Sequence, residues 1–154
     1  MKYLFLDFDG VLHGEQENWE LFSHMNMLCS ALLSYKDSLR IVISSSWRED
    51  YPLAVLQSHF WSELRSIVIG VTPIHESSFD PLARFGEIKD YCQKNNISDE
   101  HWMALDDMAR LFPENCTNLI LTNAKTGLTK ENLMVLIDFL DMNNSNEKNI
   151  YAHI

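Results

Sequence analysis

The chain has 154 residues, 46% of them apolar and 22% charged, which fits one globular domain with its own hydrophobic core and excludes a disordered polymer. A net charge of −10 excludes a broad basic face for sequence-independent nucleic-acid binding, although a nucleic-acid end held by a metal and a few cations is compatible with it. Three scattered cysteines, Cys29, Cys92 and Cys116, form no Cys-x-x-Cys pair, so they read as buried thiols and not as a disulfide framework or zinc knuckle.

Residues 2–7 form a buried strand, apolar through Leu6 and closed by Asp7. Asp7 and Asp9 end that apolar run too early for a secretory or membrane-spanning segment, so a cytoplasmic location is expected. Residues 17–34 read as a helix, with Trp19, Phe22, Leu28, Ala31 and Leu32 recurring near a period of 3.6. Leu39–Ile43 is the second strand, followed by Ser44-Ser45-Ser46 and a helix containing Leu53, Leu56 and Phe60. Ile67-Val68-Ile69 makes a third strand, stopped by Gly70 and Pro73. Asp80 is placed to cap a helix whose first position is Pro81 and whose apolar face is Phe85, Ile88 and Cys92. Trp102–Leu105 reads as a fourth strand ending at Asp106-Asp107, and Leu119–Leu121 as a fifth. Thr129 caps a last helix that buries Leu133, Leu136, Ile137 and Leu140. Strands alternating with helices predict an α/β domain over residues 1–142, a mainly parallel sheet covered on both faces. Residues 143–154 read as a polar tail.

Asp7, Ser44 and Asp106-Asp107 each follow a strand on its carboxyl side. In an open parallel sheet those ends share one edge, where ligands bind at the point of strand-order reversal. Asp7 and Asp9, two apart on an extended chain, point the same way, and Gly10 permits a sharp turn directly after them. Two such carboxylates repel unless a cation sits between them, and a hard ion such as Mg²⁺ answers that need while also taking a phosphate oxygen. Ser44 can donate to a phosphoryl oxygen, and Arg84 brings a cation near a helix amino terminus. A carboxylate can also serve as nucleophile, forming an aspartyl-phosphate.

Asp7-Phe8-Asp9-Gly10-Val11-Leu12, the strand-end serine, Arg84 and Leu105-Asp106-Asp107 resemble, in order, the four motifs of the haloacid dehalogenase (HAD) superfamily. More narrowly, Ile43–Arg48, Ile69–Pro73, Arg84 with Glu87-Ile88, and Ala104–Asp107 resemble the HAD domains associated with modular RNA-repair proteins. The resemblance implies a three-layer Rossmann-like fold and a magnesium-dependent phosphohydrolase. Asp7 would be nucleophile and metal ligand. Asp9 would be the general acid and base, with its backbone carbonyl on the metal. Ser44 would bind phosphate, with Ser45 as rival. Arg84 would stand where the family usually has lysine, with Arg48 in reserve. Asp107 would be the more direct metal ligand and Asp106 its supporting neighbour. The intervals between motifs leave no room for a large cap, and capless family members accept bulky or polymeric phosphates. The expected partner is therefore a phosphorylated substrate, a nucleic-acid end or a nucleotide-like phosphate, with no membrane.

Taken singly, each motif has a plainer reading: Asp-Asp as a helix cap, the serines as a strand-to-loop transition, Arg84 as a solvated helix residue. His13 reads as a surface residue and Trp47 as packing rather than a base-stacking platform. His13, His24, His59, His75, His101 and His153 lack zinc-ligand spacing. Met25, Met27 and Met103 read as core filler. A phospho-accepting receiver module and an inert phosphate-binding protein of the same fold are the competing functions. Asp9, a candidate acid and base, favours turnover over stable phosphorylation.

Overall fold

Alternating apolar residues in the strands decide the layering. The computed structural model describes residues 1–15, 20–76 and 80–142. Trp19 and the first part of the expected helix over 17–34, and the polar tail 143–154, lie outside them. The elements are β1 (Lys2–Leu6), α1 (Met25–Leu32), β2 (Leu39–Ile43), α2 (Trp47–Asp50), α3 (Leu53–Ser58), β3 (Val68–Val71), α4 (Ala83–Lys94), β4 (Trp102–Asp106), β5 (Leu119–Leu121) and α5 (Lys130–Asp141). All strand pairs are parallel, in the order β3-β2-β1-β4-β5.

Leu4 and Leu6 of β1, with Ile41, Ile43 and Leu105, face α1, α3 and α5 in the larger core. Phe5, Val42 and Ala104 face the other way, against Ile88 and Cys92 of α4. Burial on both faces explains why β1 reads as a continuous apolar run. The result is the three-layer α/β Rossmann-like fold that the sequence predicts, and the strand order reverses between β1 and β4. The described parts of the intervals between motifs hold α1, a 3₁₀ turn at Leu33–Tyr35 and β2 in the first, and α2, α3, a 3₁₀ segment at Ser62–Ile67 and β3 in the second, so no separate cap occurs among the described residues. None of the described helices is long and apolar enough to cross a membrane.

Several boundaries differ from expectation. Helix α1 begins only at Met25, because the chain first turns through Phe22, whose φ of 59° is incompatible with a right-handed helix. Helix α3 stops at Ser58, and Phe60 reaches the core from the turn that follows, where its N–H donates to the Gln57 carbonyl at 3.1 Å. Gly70 does not stop β3; it pairs with Val42, and a register shift between Ile41 and Val42 accommodates it. Helix α4 begins at Ala83, not Pro81, because the Asp80 carboxylate accepts from the Leu82 N–H at 2.8 Å and closes a local turn first. Thr129 does cap α5, in a reciprocal box with Asn132. Of the thiols, Cys29 and Cys92 are buried, whereas Cys116 is partly exposed, because it follows the 3₁₀ turn Ala109–Leu111 in a surface loop and not on a core face.

Candidate active site

The parallel ladder runs one residue past its strand ends. The N–H groups of Asp7, Ser44, Thr72 and Thr122 donate to the carbonyls of Leu105, Leu6, Ile43 and Asp106 at 3.0–3.1 Å. Thr72, Ser44, Asp7 and Asp106 therefore stand in one row across four strands. Each lies two residues after a neighbour packed towards α4 or pairs with one that does, so period-two alternation directs the row to the α4 side. Arg84, in the first turn of α4, meets it there. Its Nη1 lies 2.6 Å from Asp106 Oδ2 and 3.4 Å from Asp7 Oδ2.

Asp7, Asp106 and Asp107 each bring one carboxylate oxygen within 4.8 Å of the others. Asp7 and Asp106 are buried, and Asp107 is partly so. Burial, and then the charge of Asp7, push both Asp106 and Asp107 above the ordinary carboxylate range; Arg84 pulls Asp106 partly back. Burial opposes the charge on Arg84, but Asp7, Asp106 and Glu87 outweigh it and hold the guanidinium above its usual value. Three convergent carboxylates against one guanidinium leave an excess of negative charge on hard oxygen donors, which fits a divalent cation such as Mg²⁺. Gly10 makes room for this arrangement. Its φ is +72°, and a Cβ there would overlap the Asp107 carboxylate. The Thr122 hydroxyl anchors the same turn by donating to the Gly10 carbonyl at 2.7 Å.

The raised carboxylates carry a stability prediction. An aspartate whose folded pKa is raised binds its proton more tightly folded than unfolded, so its contribution is most favourable below the ordinary carboxylate value and is lost as pH rises through the raised one. Metal-free protein should therefore gain melting temperature on acidification from about pH 8 to about pH 5. Burial holds His59 below its ordinary value and works in the opposite direction, so the informative comparison is with Asp107→Asn at each pH. That variant should melt higher than wild type at pH 8 without metal and lose most of the stabilisation that Mg²⁺ gives wild type. Equal melting curves with and without the ion in wild type would sink the assignment.

Ser44 and Ser45, and Arg84 and Arg48, differ in their partners. The Ser44 hydroxyl is buried with no hydrogen-bond partner, as is that of Thr72, whereas Ser45 Oγ accepts from the Trp47 N–H at 3.3 Å. Buried hydroxyls are almost always satisfied, so an orphan at this edge suits a ligand oxygen. Arg48 spends all five of its N–H donors elsewhere. Nε and Nη2 reach the Thr72 and Pro73 carbonyls, Nη1 those of Ser44 and Ser45, and Nη2 also meets Glu87 Oε2 at 2.8 Å. It ties two strand-end loops to α4, while Arg84 faces the carboxylates.

Asp9 stands apart from the three-carboxylate cluster, its oxygens turned to His13 and Trp47 at 2.8 and 3.0 Å. His13 is 1% exposed, not on the surface, because the turn after Asp9 folds it inward beneath Phe22. Along the sequence, Thr72 and Glu87 carry no role beyond their motifs, and the partnership of His13 with Asp9 is not revealed. Thr72 follows a strand as Ser44 does and was recoverable by the same rule; the other two depend on contacts between distant segments. Trp47 does pack, against Phe8 at 5.8 Å between ring centroids.

A search of curated proteins finds no match to this chain. Residues 3–133, most of the chain and all the residues of the site, match the family described as the HAD domain in Swiss Army Knife RNA repair proteins. That match spans the whole row, Asp107 beside it and the sheet that aligns them, so the chain belongs to this family of HAD domains.

Proposed function

We propose that the protein is a magnesium-dependent phosphomonoesterase that works through an aspartyl-phosphate. Family membership supports phosphohydrolase-type chemistry. The observation that carries the reading is the meeting of Asp7 with Asp106, Asp107 and Arg84 at one sheet edge. An Asp7 carboxylate oxygen attacks phosphorus. The ester P–O bond breaks, its electron pair stays on the leaving oxygen, and Asp9 delivers a proton there. Asp9 then takes a proton from water, whose oxygen attacks the same phosphorus, freeing phosphate and restoring the Asp7 carboxylate. Ser44 and Arg84 donate to the phosphoryl oxygens as charge spreads over them. Asp7, Asp107 and Asp106 would hold Mg²⁺, with Asp9 giving only its backbone carbonyl; the bound ion supplies positive charge to the phosphoryl group.

The substrate we favour is a phosphorylated nucleic-acid end or a nucleotide-like phosphate. The description of the family and the lack of a cap among the described residues support it. Phosphate release should be measured with Mg²⁺ on RNA bearing a 3′-phosphate, RNA bearing a 5′-phosphate, and small sugar phosphates. Faster release from one of the RNA ends is expected. Preference for sugar phosphates would overturn the substrate assignment, and failure on every compound would count against the enzyme itself.

A further inference from the structure

Asp9 differs from the other carboxylates of the site in having both oxygens held by side chains from outside the metal cluster. Oδ1 lies 2.8 Å from His13 Nε2, and Oδ2 accepts from the Trp47 indole N–H at 3.0 Å. The proton on His13 can be located. The Phe22 N–H donates to Nδ1 at 3.2 Å, so Nδ1 carries the lone pair, and Nε2 carries the hydrogen that points at Asp9.

The two donors are themselves immobilised. Phe22 adopts a φ of 59°, a conformation costly for a bulky residue, and in that conformation presents its N–H to the imidazole. Its ring stacks on His59, with centroids 4.0 Å apart, and meets Trp47 edge-on at 5.2 Å. His13 and Trp47 therefore stand in a packed aromatic cluster with little freedom to turn, while the Asp9 side chain remains half exposed on its open side.

We infer that His13 and Trp47 are positioning residues that clamp the Asp9 carboxylate, directing it to the leaving oxygen and away from the metal. This inference rests on the phosphohydrolase reading. A flexible carboxylate two residues from Asp7 would otherwise swing to the cation and become one more ligand, unable to carry a proton. With both N–H donors in place, each oxygen keeps a further lone pair, enough for the travelling proton. Removing a donor leaves nucleophile, metal ligands and Arg84 untouched but loosens the acid.

Leaving-group dependence separates this role from a merely structural one. An alkyl leaving oxygen needs its proton during bond cleavage, and a nitrophenolate scarcely does. The test compares kcat/KM for 4-nitrophenyl phosphate and for a simple alkyl phosphate, with Mg²⁺, in wild type, His13→Ala, His13→Gln and Trp47→Phe. Thermal unfolding of each variant confirms that it is folded. His13→Ala should lose roughly ten- to a hundredfold on the alkyl phosphate, since general-acid contributions are of this order or larger, and far less on the nitrophenyl ester. His13→Gln, whose amide N–H can reach the same oxygen, should restore most of the loss, and Trp47→Phe, which keeps the ring but not the N–H, should show a smaller bias of the same sign. Equal losses on both esters, or none, would overturn the inference while leaving an active enzyme. A wild type that turns over neither ester would overturn the phosphohydrolase reading, and the inference with it.

Discussion

In Asp7→Asn, turnover of a generic aryl phosphate should fall by at least about 10⁴-fold, the scale on which loss of a nucleophile acts, while the protein stays folded. The amide is nearly isosteric, so it retains the shape that fills the space between Arg84 and the acidic pair. It is a poor nucleophile and carries no charge. One like charge leaves the cluster, so Asp106 and Asp107 should ionise more readily, since Asp7 is the second cause of the upward shift in both after burial. Melting temperature should hold or rise in metal-free protein for that reason. Phosphate release by continuous assay measures the first effect, and mass spectrometry of acid-quenched wild type checks the intermediate as an added phosphoryl group on the peptide containing Asp7. A wild-type phosphoenzyme that persists for hours would favour the phospho-accepting signalling module over an enzyme. Activity surviving in Asp7→Asn would remove Asp7 from the nucleophile's role.

The second large effect is on stability. Arg48→Ala should destabilise the fold by about 3–5 kcal/mol, because it leaves the buried Glu87 carboxylate without its cation. The same change strips donors from the carbonyls of Ser44, Ser45, Thr72 and Pro73. Urea unfolding measures the loss. Arg48→Lys keeps a charge near Glu87 but offers three donors from one nitrogen, which cannot span acceptors on three segments. It should fall between wild type and alanine, and in both variants the row loses the rear brace that holds Ser44 beside Asp7. An Arg48→Ala protein as stable as wild type would mean that water satisfies these groups and that Arg48 braces nothing. Arg84→Ala makes a useful contrast. That guanidinium lies 2.6 Å from Asp106, which burial and then the charge of Asp7 already hold above the ordinary carboxylate range, so under the proposed function its removal should weaken phosphate binding as well as the fold.

Much of this architecture is written locally. The apolar run Tyr3–Leu6, the β-branched Ile41-Val42-Ile43 and the capping Thr129 each act through near neighbours, and each appears as the residues predict. Boundaries fared less well where a local polar group competed with the helix, as Asp80 does before α4, or where a distant contact overrode propensity, as at Phe22. Gly70 shows the same limit from the other side: ladder pairing with Val42 outweighs the weak strand preference of glycine.

Which chemical groups stand at the ends of which strands is legible along the chain, because alternation and strand length are local properties and the order of motifs is read directly from it. The sequence could not choose between Ser44 and Ser45, since a one-residue change of register reverses the face a side chain takes, or between Arg84 and Arg48, since which helix meets the sheet edge depends on packing between distant segments. The fold gives each of these side chains its position and partners. The ladder sets Ser44 in the row with Asp7, and the packing of α4 brings Arg84 onto it. Arg48 is drawn the other way by Glu87, and His13 is turned inward by a left-handed Phe22. These outcomes depend on pairings between segments far apart in the chain, whose free energies no stretch of sequence carries alone.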